Sequence, residues 1–237
     1  MAILTGYHIR LTVLPYGDHT FVLSDDGHAW GCFGDCTDGQ PLRSGQGDSS
    51  VANCLSQPIN TGVFPPEYAG MRYAIDGVCH QAADSILSIA GVTVEGAEGW
   101  HFTRWLYGIC GHNWPQRRAR CVVGAAAVAE PEDRAAHHRH LMADFAEAVK
   151  APTGAEPDHY AAAVAAHERM LAAKAALDQR FEAGGLDFAT YAADLQALVD
   201  DSVSAFGAAV PADEFVRLFG FPAGQRYQIL DPAVVGA

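Results

Sequence analysis

The chain has 237 residues, of which 28 are acidic and 15 are basic, and its net charge is −13. Nucleic-acid binding needs a basic face that displaces counterions from phosphates, so we expect no nucleic-acid partner. A membrane-spanning helix takes about 20 mostly apolar residues, and because the sequence contains no such uncharged run we expect no membrane span.

The first 14 residues predict a β-strand rather than a secretion signal. His8 and Arg10 interrupt the apolar stretch, and the small residues of a cleavage site are missing. We therefore expect a cytoplasmic protein.

The cysteines lie at positions 32, 36, 54, 79, 110 and 121. Disulfide frameworks belong mainly to shorter secreted chains with denser cysteines, so we expect mostly free thiols in a reducing compartment. Cys32 and Cys36 have zinc-like spacing, but no second close pair follows. A zinc site completed by Cys54 is an alternative, although we favour a protein with neither metal nor cofactor.

The composition changes near residue 125 and predicts two domains, residues 1–125 and 126–237. The first domain begins with three predicted strands, at residues 8–14, 19–24 and 28–33. Asp25, Asp26 and Gly27 are typical of the tight turn of a β-hairpin. The Gly-, Ser- and Pro-rich residues 34–70 predict one long loop, and loops of that length are usually functional.

A helix is predicted to begin near Cys79 and to end at Gly91. Residues 92–94 and 102–110 are predicted to be strands, or a strand and a turn. The alanine-rich second domain predicts four helices, at residues 132–149, 158–183, 187–207 and 211–219. Asp187 is the expected N-cap of the third. The expected fold class is α+β: a small antiparallel sheet with the Cys79 helix, followed by an α-helical C-terminal region.

Cys79 is the strongest candidate for a functional residue. The unpaired N–H groups and the positive dipole end of a first helical turn stabilise a thiolate and lower its pKa. The same N–H groups can hold an oxyanion. Gly77, two residues earlier, permits a tight entry into the helix. The alternative is a buried structural cysteine in a core helix.

A nucleophilic cysteine also needs a histidine base. Five histidines of the first domain are eligible: 8, 19, 28, 101 and 112. His80 is adjacent to Cys79 and is expected to point elsewhere. His19 is favoured because it starts a strand directly after a turn, where its side chain can project at the end of a sheet.

The stretch GDHTFVLSDDGHAW, residues 17–30, is a His-led strand and hairpin ahead of a helix that opens with a cysteine. It resembles the permuted papain-like cysteine enzymes, relatives of NlpC-type peptidases and of lecithin:retinol acyltransferase. The resemblance covers at most residues 6–90. It implies a small antiparallel sheet packed on the nucleophile helix and acyl cleavage or transfer through a thioester. Carried over, it makes Cys79 the nucleophile, His19 the base and His28 an orienting group.

A rival arrangement keeps the order of papain itself, in which the cysteine precedes the histidine. His112 lies beside Asn113 in a glycine-rich turn and is the second candidate base. Gln81, or Gln57 further upstream, is a candidate donor to the oxyanion.

These residues predict an enzyme that attacks an amide or ester bond through Cys79: a peptidase, an amidase or an amide-forming acyltransferase. The expected substrate is a small molecule, a peptide or an acyl-thioester; the sequence indicates neither which of these nor the oligomeric state. The alternative is a non-enzymatic protein-interaction module in which Cys79 is structural.

Overall fold

The computed structural model describes residues 1–10, 17–32, 38–56, 59–60, 71–123, 133–150 and 157–230. The chain forms two compact units, one made of residues 1–11 and 18–133 and the other of residues 12–17 and 134–237. The first unit contains an antiparallel sheet and helices, and the C-terminal region is helical, so the predicted α+β class is confirmed. None of the described helices combines the length and apolarity needed to cross a membrane.

The sheet of the first unit contains four antiparallel strands in the order β3-β2-β1-β4. They are β1 (Ala2–Arg10), β2 (Asp18–Ser24), β3 (Ala29–Gly31) and β4 (Gln40–Gly47). The predicted hairpin joins β2 to β3, and Ile9 of β1 faces His19 of β2. A short parallel pair, β5 (Ile59–Asn60) and β6 (Met71–Arg72), lies further along the chain.

The prediction of one loop over residues 34–70 is wrong, because β4 and helix α1 (Ser49–Leu55) lie within it. Strand β4 includes Pro41 and two glycines, residues that are depleted in strands, so its sequence carries no strand pattern. Pairing with β1 creates it at the edge of the sheet, where proline is tolerated. Asp48 caps helix α1: its side chain accepts hydrogen bonds from the backbone N–H groups of Ser50 and Val51.

The strand prediction for residues 102–110 is also wrong, and residues 92–94 form no strand. Residues 102–107 belong to helix α3 (Trp100–Tyr107), which is followed by α4 (Trp114–Val123). Aromatic residues favour strands, but here glycines in the positive-φ region, Gly99 and Gly108, bound a helix with one buried face.

Helix α2 (Cys79–Leu87) is the predicted Cys79 helix, and a 3-10 turn extends it to Ala90. All nine residues of α2 are buried, and the helix packs against β2. Its inner face contributes to the core of the first unit together with residues from the sheet and α3, including Leu4, Val22, Trp30, Ile86, Leu87 and Trp100. The N-terminus of α2 is therefore fixed relative to β2.

The second unit contains α5 (Arg134–Lys150), α6 (Pro157–Glu182), α7 (Phe188–Ala209) and α8 (Ala212–Phe219). These four bounds agree with the predicted helices within two residues at each end. The Asp187 side chain accepts from the backbone N–H of Thr190 at 2.7 Å, which confirms the predicted cap. Aromatic rings pack against one another at tilted angles in this unit, with Phe145 and Phe219 in contact with Phe206.

Candidate active site

Cys79 is the first residue of α2, and the chain enters the helix through Gly77 and the extended Val78. A Cβ atom on Gly77 would lie 2.6 Å from Cβ of Gln81 and 2.8 Å from Sδ of Met71, so this entry requires glycine. Only 9% of Cys79 is exposed. In its thiol form, Sγ donates to the backbone oxygen of Asp18 over 3.4 Å.

The surroundings of Cys79 hold its pKa well below that of an ordinary thiol. The hydrogen bond from Cys32 is the largest favourable contribution. The electrostatic contributions of His80 and His19 and the hydrogen bond of His19 add to it, while burial opposes the shift. His19, at the start of β2, is thus one of the groups that lower the pKa of Cys79. The unpaired N–H groups of the first turn of α2 act in the same direction.

Asp18 and His8 form a polar pair next to this contact that the sequence analysis missed. Nδ1 of His8 hydrogen-bonds Oδ2 of Asp18, and the same oxygen accepts from the backbone N–H of Glu98 at 2.8 Å. In the β1–β2 register, His8 faces Thr20 and is therefore a diagonal neighbour of Asp18 on the same face of the sheet. The signal was a histidine and an aspartate on neighbouring strands, but it is readable only once the register is known.

His80 is buried, and its ring contacts Thr103 of α3. The Thr103 hydroxyl donates to the carbonyl of Trp100 at 3.0 Å, so the 2.9 Å contact with Thr103 needs a proton on Nδ1 of His80. Burial lowers the pKa of His80 and favours the neutral ring. Its Nε2 is then a buried acceptor without a hydrogen-bond partner among the described residues.

The proposed orienting role of His28 is wrong. Nδ1 of His28 lies 2.9 Å from Oδ1 of Asp26 in the hairpin, and about half of the side chain is exposed. The backbone of His28 pairs with Ser24, at the end of β2 opposite to His19. Five residues of strand separate the two ends by about 16 Å, so His28 cannot orient the His19 ring.

The rival base His112 is held by a different carboxylate. Its Nδ1 lies 3.6 Å from Oδ1 of Asp76 and 2.8 Å from Nδ2 of Asn113, and its backbone N–H donates to the carbonyl of Asp76. Arg72 completes this group with a 2.7 Å ion pair to Asp76. Of the two candidate bases, His19 and not His112 contributes to the lowered pKa of Cys79.

The proposed oxyanion role of Gln81 is wrong, because both ends of its amide serve the fold. Oε1 accepts from the backbone N–H of Val78 at 3.2 Å, at the start of the helix. Nε2 donates to the carbonyl of Gly108 at 3.1 Å and to the hydroxyl of Thr103 at 3.3 Å. The alternative donor, Gln57, lies outside the described residues.

Cys54 of α1 and Cys121 of α4 form a disulfide, a bond that the sequence analysis did not predict. The same bond removes Cys54 from the alternative zinc site, and Cys36 lies outside the described residues. Within the described part of the chain, no group of three acidic, histidine or cysteine side chains is arranged to hold a metal ion. Cys32, Cys79 and Cys110 are free thiols.

The arrangement supports one kind of chemistry. A cysteine whose environment favours the thiolate lies at a helix N-terminus, with an imidazole in contact with it, and these are the elements of nucleophilic catalysis by sulfur. The chain matches no protein-family model, no curated protein and no solved structure.

Proposed function

We propose that this chain is a cysteine-nucleophile enzyme that acts on an amide or ester bond through a thioester intermediate. The contact between His19 and the Cys79 sulfur at the N-terminus of α2 is the observation that carries the proposal. A peptidase, an amidase and an amide-forming acyltransferase all use this pair, and they differ in whether water or an amine accepts the acyl group.

In the first half of the proposed reaction, the Cys79 thiolate attacks the acyl carbon and a carbon–sulfur bond forms. The carbonyl oxygen becomes an oxyanion, which the backbone N–H groups of the first turn of α2 stabilise. The protonated His19 gives its proton to the leaving amine or alcohol as the bond to carbon breaks. A thioester on Cys79 and a neutral His19 remain.

In the second half, His19 removes a proton from water or from an acceptor amine. The activated oxygen or nitrogen attacks the thioester carbon, and the sulfur leaves as the thiolate. Cys32 supports this step, since its hydrogen bond to Cys79 stabilises the departing sulfur anion. The carboxylate of Asp18, fixed by His8 and by the backbone of Glu98, adds a negative charge next to the His19 strand position.

The order of the two residues supports a permuted papain-like enzyme. His19 lies on β2, ahead of Cys79 on α2, and the helix packs against the strand that bears the histidine. Only 9% of Cys79 is exposed, which favours attack on a small or extended substrate. We accordingly keep a peptide, a small amide or ester, or an acyl-thioester as the substrate class.

A cytoplasmic location is part of the proposal, but the Cys54–Cys121 disulfide argues for an oxidising compartment. Alkylation of the two cysteines in freshly lysed cells, before and after reduction, measures the bond in place. A fully reduced pair supports the cytoplasm, and a fully oxidised pair contradicts it.

The test is acylation of Cys79 by p-nitrophenyl acetate. The reaction is measured by the release of nitrophenol and by the mass of the Cys79 peptide. Cys79→Ala should abolish the burst and the acetylated peptide. His19→Ala should slow hydrolysis of the acetylated Cys79 by about 10²-fold or more, the usual contribution of a general base. His112→Ala is the matched control, because it removes a buried imidazole that faces Asp76, and it should retain most of the rate. A loss confined to His112→Ala would refute the assignment of the base.

The burial of all nine residues of α2 favours the rival interpretation, a structural Cys79 in an interaction module. The unfolding free energy of Cys79→Ala separates the two. A catalytic cysteine predicts a nearly unchanged stability together with lost acylation. A loss of several kcal/mol, as for a truncated core side chain, with no acylation of the wild type, would establish the structural role.

A further inference from the structure

Cys32 lies against the nucleophile because of the pairing of three elements. It directly follows β3, whose last residue, Gly31, faces Phe21 of β2. Antiparallel pairing then brings Cys32 level with Thr20, the residue after His19. Since α2 packs on both β2 and β3, Cys32 reaches the first residue of α2, and the two thiols hydrogen-bond.

The two sulfur atoms differ in their access to solvent. Cys32 is partly exposed, whereas Cys79 is 9% exposed. A buried thiolate beside a more accessible thiol has the layout of a peroxide-reactive cysteine and its resolving partner. Cys110, the remaining free thiol among the described residues, has the opposite environment: burial, with the charge of Asp84, raises its pKa to about 12.

We propose that Cys32 and Cys79 form a redox-active dithiol, in which a hydroperoxide oxidises Cys79 and Cys32 resolves the product as a reversible disulfide. The proposal uses the Cys79 thiolate of the proposed function but needs no acyl substrate. The resulting bond would remove the nucleophile from acyl chemistry until a dithiol restores it.

The chemistry balances in two steps. The Cys79 thiolate attacks one oxygen of hydrogen peroxide, takes up OH as a sulfenic acid, and releases hydroxide, which is protonated to water. The Cys32 thiol then attacks the sulfenic sulfur, and the Cys79–Cys32 disulfide forms as a second water leaves. One peroxide is reduced by two electrons, which both sulfur atoms supply. A dithiol reductant reverses the bond by thiol–disulfide exchange.

The hydrogen-bond contact makes the disulfide geometrically accessible. Sulfur atoms in such contact are within about 4 Å, and a disulfide needs about 2 Å, so rotation about the two Cα–Cβ bonds covers much of the difference. Cys32 follows the end of a strand, so its backbone is not held in a ladder. Because Cys54 and Cys121 are bonded to each other, neither offers a thiol that could compete with Cys32 for the oxidised Cys79.

The test starts from the full-length chain, reduced mildly enough to leave the Cys54–Cys121 bond intact. The chain is treated with hydrogen peroxide, the remaining thiols are trapped with iodoacetamide, and the protein is digested at aspartate residues. Cleavage at Asp35 separates Cys32 from Cys36, so the linked peptides can be assigned. We expect a Cys32–Cys79 peptide pair that dithiothreitol dissociates. In Cys32→Ser the pair should vanish and Cys79 should proceed to the sulfinic acid at least tenfold faster. Cys110→Ser is the matched control and should form the pair as the wild type does.

A Cys36–Cys79 pair would overturn the assignment of Cys32, and so would sulfinic acid formation at the same rate in Cys32→Ser and the wild type. A cross-link whose yield rises with protein concentration would show pairing between chains and would also refute the proposal. Acylation by p-nitrophenyl acetate is measured on the reduced protein in parallel. A cross-link without acylation refutes the proposed function but supports the redox-active dithiol. Acylation without a cross-link supports the proposed function and refutes the dithiol.

Discussion

Two free thiols of this chain have the same exposure and opposite electrostatic environments, which makes alkylation a quantitative test. Cys79 and Cys110 are each 9% exposed. The hydrogen bond from Cys32, followed by His80 and His19, holds the pKa of Cys79 well below its usual range. Burial raises the pKa of Cys110 to about 12. The difference in rate therefore reports ionisation rather than access.

At pH 7 a thiol with a pKa of about 12 is ionised to about one part in 10⁵. The pKa of Cys79 lies well below the ordinary thiol value of 9.0, so the two thiols differ by more than three pKa units. A less basic thiolate is a weaker nucleophile, and a Brønsted coefficient of about 0.5 offsets about half of that difference on a logarithmic scale. We therefore expect Cys79 to react with iodoacetamide more than about 30 times faster than Cys110. Replacing Cys32 with serine should narrow the ratio, because it weakens the largest favourable contribution.

The assay follows both peptides of the same protein by mass spectrometry after timed quenching, at pH 6 to 9. The Cys110 rate should rise tenfold per pH unit throughout this range, while the Cys79 rate should rise less steeply and level off as its thiol becomes fully ionised. In denaturant the two rates should converge, which controls for peptide recovery. If the Cys79 rate also rises tenfold per pH unit, or if the ratio is near one in the folded protein, the argument for a stabilised thiolate is refuted.

Two predictions concern the stability of the first unit. The Cys54–Cys121 disulfide joins residues 67 positions apart, and loop-closure entropy for that separation gives a stabilisation of about 4 kcal/mol. The double variant Cys54→Ala with Cys121→Ala should therefore lower the unfolding free energy measured in urea by this amount. A change below about 1 kcal/mol would contradict the prediction. Burial raises the pKa of Asp84 to about 7, against the hydrogen bonds from Trp100 and Val94. The folded state then holds the proton more tightly than the unfolded state, so stability should fall by up to about 4 kcal/mol as the pH rises from 4 to 7. Asp84→Asn should remove that slope, and an unchanged slope would assign it to another group.

Local sequence was enough to predict several elements. The helices of the second unit follow from hydrophobic periodicity and end signals such as the Asp187 cap, which depend on neighbours within a few residues. The hairpin between β2 and β3 has its own turn chemistry. Gly77 ahead of Cys79 marked the start of α2 because a tight entry into a helix excludes a Cβ atom.

Elements without a local signature were missed. The sequence of β4 lacks strand formers, and the hydrogen bonds of β1 alone make it a strand. Conversely, α3 is rich in residues that favour strands, and burial of one helical face against the core decides its conformation. The Cys54–Cys121 bond depends on α1 and α4 meeting, and spacing along the chain does not encode such a contact.

By itself, the sequence determined the α+β class, the position of Cys79 at a helix start and a short set of histidines that could serve it. The tertiary structure decided where each of them lies: β1–β2–β3 pairing places His19 at the start of β2 and ties His28 to the hairpin, and His112 lies with Asp76. The physical reason is the separation along the chain of the residues that interact. Helix caps and turns are set by a few bonded neighbours, whereas strand register and helix packing set which side chains from distant positions share one site.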